Sequence, residues 1–270
     1  MSCAPSMPHS RLHPRERRRG WTSVALAGLV LVLGTGDPLR ADIFTPSIQD
    51  QIKLGDQAAV QVMRQYRVVN DERIRRVEAV DRRLLDALPS KERGPWDYRF
   101  HVIESQEINA FALPGGNVFV FTGLYDRIKT EDELAAVMGH ELTHVRKQHW
   151  VRMAGEQAKR EAALALLQGL AHAAPIWQNV AGIADSLLTL RYSRKDEDQA
   201  DAGGLDDMVA AEYNPQGMLD LFRTLTEAAG KGEGPSFLAD HPLTTERIQR
   251  TQERINRMGK RDSRPEVPLR

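Results

Sequence analysis

The residues best suited to chemistry are His140, Glu141, Leu142, Thr143 and His144, an H-E-x-x-H pentapeptide. Two imidazoles four positions apart on an α-helix lie about 40° apart around its axis, so both reach a single metal ion from one face. Glu141 sits beside that ion, placed to take a proton from a metal-activated water. This is the chemistry of metal-assisted hydrolysis, and it requires the segment to be helical. The flanking residues predict that it is. Thr130, Glu131, Asp132 and Glu133 fit a capping box, with Thr130 as N-cap and Glu133 at N3. Acids fill the first turn, and Arg146 and Lys147 fill the last, as the helix dipole favours. Leu134, Val137, Met138, Leu142 and Val145 supply the buried face.

Catalytic zinc takes three protein ligands and keeps a position for water. His149 is near in sequence, but nine residues along a continuous helix it points about 180° away from His140. The extended pattern H-E-x-x-H-x-x-G-x-x-H fails, because Lys147 and Trp150 hold its Gly and last His positions. The third ligand must come from another segment. His101, His172 and His241 are candidates, but an acid-rich helix carrying Glu197, Asp198 and Asp201 is more attractive. Glu197 and Asp201 share one face, so one can bind a metal while the other braces a ligand imidazole. Spacing alone does not choose between Glu197 and Asp198.

The elements that must position these groups are mostly helical. Apolar residues recur at helical spacing through Ile48, Ile52, Ala59, Val62 and Met63, and again through Val68, Ile74, Val77, Val80, Leu84, Leu85 and Leu88, where Pro89 stops the pattern. Three β-rich runs follow, at Tyr98–Ile103, Asn109–Leu113 and Val118–Phe121, the last two separated by a Pro114-Gly115-Gly116-Asn117 turn. They predict a small antiparallel sheet just ahead of the H-E-x-x-H helix. A sheet edge beside a metal can bind an extended peptide as an added strand. Residues 162–184 carry no formal charge. They read as two apolar helices broken near Pro175, packed in the core or against a membrane surface. A single span there would put the acid-rich helix across the membrane from His140. A helical stretch over 187–213 follows, then a helix opened by Asn214-Pro215, a glycine-rich loop at 230–234, and a last helix over 244–258. The fold class expected is α+β, mostly helical.

Composition sets the remaining bounds. The chain has 270 residues with 37 basic and 37 acidic side chains, a balance that gives no argument for nucleic acid. Residues 1–41 read as an export signal. A basic block ending at Arg19 precedes an apolar run over Trp21–Leu33, then the breakers Gly34, Gly36 and Pro38, and Ala41. The expected location is the periplasm, the alternative being an uncleaved anchor in the inner membrane. Residues 42–258 form the expected domain, and the charged 259–270 tail reads as disordered. Cys3 is the sole cysteine and lies in the signal, so a metal site in the mature chain uses His and carboxylates.

These motifs, taken in order, carry a resemblance. His140–His144, then Ser193, Arg194, Glu197, Ala200 and Asp201 spaced as S-R-x-x-E-x-x-A-D, then Asp240-His241-Pro242, resemble the gluzincin metallopeptidases of the HtpX and BepA type, a family that also includes the CAAX prenyl endoprotease. The run Asn109–Gly123 is similar to the strand such proteins place before their zinc helix. The resemblance implies a zincin-like domain acting as a zinc endopeptidase, with one Zn2+ per chain held by His140, His144 and Glu197, and Asp201 braced behind a ligand. It implies Glu141 as the base and Asn109, Ala110 and Phe111 as the substrate-binding edge. His241 would lie near the metal as a transition-state stabiliser or an occluding extra ligand, and Arg194 is a second candidate stabiliser. The partners implied are protein or peptide substrates, misfolded or envelope proteins among them, with contact to a membrane surface or an outer-membrane assembly. The alternative is a chaperone-like binding module whose metal site is occluded.

Overall fold

The computed structural model describes residues 46–167, 191–232, 234–258 and 268–269. The segment read as an export signal, the helix break expected near Pro175 and His172 lie outside them. Caps and breakers set the order of elements: α1 (Ile48–Gln65), β1 (Val68–Val69), α2 (Glu72–Asp86), the single turn α3 (Ser90–Arg93), β2 (Arg99–Ile103), β3 (Ala110–Ala112), β4 (Asn117–Phe121), the single turn α4 (Thr122–Tyr125), α5 (Glu131–Arg146), α6 (His149–Leu167), α7 (Arg194–Ala210), α8 (Gln216–Gly230), the short α9 (Ser236–Asp240) and α10 (Thr245–Met258). No helix among the described residues is long and apolar enough to cross a membrane.

The sheet corrects two expectations. Its order is β1-β2-β4-β3, and β4 runs parallel to β2, Arg99 opposite Asn117 through Ile103 opposite Phe121. The sheet is therefore mixed, not antiparallel. β3 and β4 do form the expected hairpin, Ala110 opposite Val120. Its turn needs glycine, because Gly115 has φ 85° and Gly116 φ 120°. Alternation locates strands but not their neighbours: β4 enters between β2 and β3, which sets it beside the strand that runs the same way. Val68, counted above with the second helix, instead lies in β1 opposite Ile103. Asp71 caps α2 by accepting the Arg73 amide at 2.9 Å, so the helix starts after Val68.

Both sheet faces are covered. Val102, Ala110, Ala112, Val118 and Val120 pack with Val77 and Leu84 of α2, Leu134 of α5 and Met218 of α8. Ile103, Phe111, Phe119 and Phe121 pack with Leu54 of α1 and Trp150 of α6. This explains why β4 reads N-V-F-V-F without a polar alternation.

The capping of α5 is half of what the sequence predicts. Thr130 Oγ1 accepts the Glu133 amide at 3.2 Å, but the Glu133 carboxylate accepts from Thr224 of α8 at 3.1 Å. The tail is also partly placed. Leu269 donates to the Lys129 carbonyl and is buried with the main core.

Two glycines bring the site together. A Cβ on Gly204 of α7 would sit 2.9 Å from the His140 backbone nitrogen, and one on Gly139 of α5 would sit 3.1 Å from Gly204 Cα. The two helices therefore cross backbone to backbone. Gly204 follows Glu197 by seven residues, two helical turns, so the close crossing and the acids share a face.

Candidate metal centre

The donor atoms of His140, His144, Glu197 and His241 all lie within 4.8 Å of one another, and all four side chains are buried. Nε2 of His140 is 3.0 Å from Nε2 of His144 and 3.6 Å from Glu197 Oε2. His144 Nε2 is 3.6 Å from Glu197 Oε1. Nδ1 of His241 is 3.2 Å from His140 Nε2 and 2.9 Å from Glu197 Oε1. Donors held about 2.1 Å from a tetrahedral ion lie roughly 3.4 Å from one another, so these separations fit one divalent ion such as zinc. The protonation states of His144 and Glu197 agree, whereas burial would lower the His241 pKa but Glu197 and Glu141 raise it. Burial pushes the His144 pKa well down, helped by the imidazoles around it, so its lone pair is free. Burial also opposes charge on Glu197, but His241, His140 and Arg247 overcome it and hold the carboxyl below its usual range.

Each helical histidine is held from behind. Nδ1 of His140 meets Asp201 Oδ1 at 3.0 Å. Arg247 of α10 donates to Asp201 at 2.7 and 2.8 Å, to the carbonyls of His241 and Pro242, and lies 2.7 Å from Glu197. Burial would raise the Asp201 pKa, but Arg247 and His140 hold it at about 2. His144 is held differently: its Nδ1 meets Nδ1 of His149 at 2.9 Å, and His149 Nε2 meets Gln199 Oε1 at 3.1 Å.

Glu141 is wholly buried and neither carboxylate oxygen makes a full hydrogen bond among the described residues. It faces the Ala112 backbone and His241 Nε2, 3.6 Å away. Burial raises its pKa, with Glu197 adding to the effect while His241 and His140 oppose it. A buried carboxylate without a fixed partner, beside a cage of metal donors, is what a proton acceptor for water requires.

β3 is the sheet edge beside this carboxylate. Phe121 N donates to the Asn109 carbonyl and Leu113 N to the Asn117 carbonyl. The odd-numbered residues therefore bond to β4, while the backbone groups of Ala110 and Ala112 point away from it. The Ala110 amide is already taken by Asn109 Oδ1 at 2.8 Å.

The sequence-derived candidates divide accordingly. His140, His144, Glu197 and His241 come together, with Glu141 and Asp201 against them. Asp198 instead pairs with Arg250, and His101 bonds Asn117 within the sheet. Arg194 does not reach the cage: it lies exposed in the first turn of α7, its charge felt by Glu246. Of the expected substrate edge, Phe111 turns its ring onto Phe119 at 5.1 Å, and Asn109 reaches Asp240.

His149 does not point away. The helix ends at Arg146, and Gln148, with φ 53°, turns the chain so that His149 opens α6 and faces back onto His144. His149 would lie 180° from His140 only on a helix that continued past Arg146, and α5 stops there. Arg247, Gln199 and Tyr192, whose ring lies 4.0 Å from that of His144, were not identified from sequence. Arg247 follows His241 by six residues, a spacing that marks it once the His241 loop is known to cover the cage.

The family model described as peptidase family M48 matches residues 71–255. A putative β-barrel assembly-enhancing protease of Vibrio cholerae is 36% identical over 170 residues, covering 58% of this chain and 34% of the relative. The β-barrel assembly-enhancing protease of Escherichia coli K12 is 28% identical over 227 residues, 79% of this chain and 45% of its own length. The mitochondrial metalloendopeptidase OMA1 of Schizosaccharomyces pombe is 34% identical over 162 residues, 58% of this chain and 46% of its own length. The chain thus spans less than half the length of these relatives.

Proposed function

The chain belongs to peptidase family M48, and from that premise we propose that it is a zinc-dependent endopeptidase exported to the periplasm, where it acts on misfolded or envelope proteins. The observation that carries the reading is the cage itself: His140, His144, Glu197 and His241 with donor atoms within 4.8 Å, and the unpartnered Glu141 carboxylate against it. His140, His144 and Glu197 would hold the ion, and Asp201 would brace His140. Zinc bound there supplies Lewis acidity that lowers the pKa of a water and polarises a carbonyl. Glu141 would take a proton from water and later deliver it to the leaving amine; its raised pKa brings it closer to neutrality, where such a group works best. The outward carbonyls of Ala110 and Ala112 would accept from an extended substrate, with the scissile bond beside Glu141.

His241 occupies the fourth corner of the cage in the described conformation. There it acts as an occluding ligand that must leave before substrate binds, and Arg247 anchors its loop through two carbonyls. The family relationship supports a peptidase over the chaperone-like binding module. The names of the Vibrio and Escherichia relatives support β-barrel assembly as the setting.

The test compares three purified proteins by metal analysis and by chelator-sensitive cleavage of casein. Wild type is expected to hold one zinc per chain. Glu141→Gln is expected to keep the zinc and lose cleavage by at least about 1000-fold, as loss of the general base and its charge demands. His241→Ala is expected to cleave faster than wild type. Undiminished cleavage by Glu141→Gln sinks the mechanism, and slower cleavage by His241→Ala sinks the occluding role.

A further inference from the structure

We propose that His149 is a positioning residue for the metal ligand His144: it accepts the His144 Nδ1–H, and Gln199 holds it in the tautomer that can do so. The inference rests on the metal-site reading above.

The protons of the three side chains can be counted. Nε2 of His144 faces the other donors, 3.0 Å from His140 Nε2 and 3.6 Å from Glu197. A neutral imidazole that gives its Nε2 lone pair to a metal carries its one proton on Nδ1. That N–H points at His149 Nδ1, 2.9 Å away. Two N–H groups cannot meet head-on, so His149 Nδ1 must present a lone pair and carry its proton on Nε2. His149 Nε2 in turn meets Gln199 Oε1 at 3.1 Å, an acceptor. Turning the glutamine amide round would present N–H to Nε2 and move the His149 proton onto Nδ1, against His144. One arrangement of protons therefore satisfies both contacts.

The surroundings keep the pair in place. His149 is fully buried at the start of α6. Asp196, a carboxylate 4.0 Å from His149 Nε2, is engaged by Arg152 and accepts from Ser193 Oγ at 2.8 Å. The chain reaches this geometry through the left-handed Gln148, whose Oε1 accepts from Gln51 of α1 at 3.0 Å. The backbone turn that ends the H-E-x-x-H helix thus delivers the second imidazole to the back of the first.

The test separates acceptor from ring. His149→Phe keeps a ring and removes the acceptor. His149→Asn places Oδ1 near the position of Nδ1 and restores it. Zinc affinity is measured by chelator competition, and the Co2+-loaded proteins are compared by their visible spectra. His149→Phe is expected to weaken zinc binding about 10- to 100-fold and to shift the Co2+ bands, while His149→Asn recovers most of both. In wild type, 15N resonances are expected to place the His149 proton on Nε2; this needs no variant to fold. A folded His149→Phe protein with wild-type zinc affinity overturns the inference, as does a His149 proton on Nδ1. A wild-type protein that takes up no zinc overturns the metal-site reading itself, which the other two results leave standing.

Discussion

The two histidines of one helix turn are supported in opposite ways. Behind His140 stands charge: Asp201, held ionised by Arg247, which also sits against Glu197. Behind His144 stands a neutral pair, His149 and Gln199. A carboxylate raises the basicity of the imidazole it accepts from and fixes its ring. A neutral imidazole fixes the ring without adding charge. The difference is legible in the electrostatics of the cage, where three imidazoles, two glutamates and Asp201 share one buried space. A second anion behind His144 would need its own counter-charge, and Arg247 already serves two carboxylates.

The largest expected effect breaks the charged side. Arg247→Met leaves Asp201 and Glu197 buried without their counter-ion, and losing one partner of a buried pair costs about 3–5 kcal/mol. The metal-free protein should show that loss in urea unfolding, and zinc binding should weaken as the His241 loop is released. Arg247→Lys should rescue only partly, because one ammonium cannot reproduce the forked contacts to Asp201. If Arg247→Met proves no more destabilising than His149→Phe, the contrast between the two supports is wrong.

A pH series sharpens the same contrast. Burial depresses the His149 pKa from near 6.5 to about 4, and pushes His144 well down too. The unfolded chain then binds these protons more readily than the folded one, so their share of stability is present above pH about 6.5 and is lost as pH falls towards 4. Asp201, held at about 2, keeps its share until the pH falls below the ordinary carboxylate range. The metal-free protein should therefore weaken in two steps on acidification, the neutral support before the charged one. His149→Phe should flatten the upper step and leave the lower one. An upper step unchanged in that variant would assign the loss to other groups.

How much of this could be read from the chain divides along physical lines. Local signals held. Thr130 caps the helix, the glycine turn joins β3 to β4, and the i, i+4 spacing puts His140 with His144 and Glu197 with Asp201. The resemblance singled out Glu197; its carboxylate lies with the histidine donors, while Asp198 turns out to Arg250. Non-local arrangement did not read out. Parallel pairing of β2 with β4 depends on which strand enters the middle, which alternation does not encode. Arg247 belongs to a separate helix, and only the folded His241 loop brings it under Asp201. His149 was misassigned for a single backbone angle: a non-glycine residue at φ 53° is uncommon, and no local pattern around Gln148 announces it. Arg194, a candidate stabiliser, is the first residue of α7 and is exposed.

The smallest effect comes from a second buried aspartate, which tests whether partners or burial decide the sign. Asp81 of α2 is as buried as Asp201, yet neither of its oxygens has a hydrogen-bond partner among the described residues. Burial, with Glu78 nearby, pushes its pKa well up, the reverse of Asp201. A carboxyl raised in the folded state contributes stability below its unfolded pKa near 3.8 and loses it as pH rises towards the folded value. Asp81→Asn removes the charge and keeps the shape, so it should stabilise the protein at neutral pH by about 1 kcal/mol, a typical share of the cost of burying an unsatisfied group. The same substitution at Asp201 should destabilise, because it strips Arg247 of its partner. Urea midpoints at pH 7 for the two variants decide the matter. Shifts of the same sign would mean that burial, and not the presence of Arg247, governs these carboxylates.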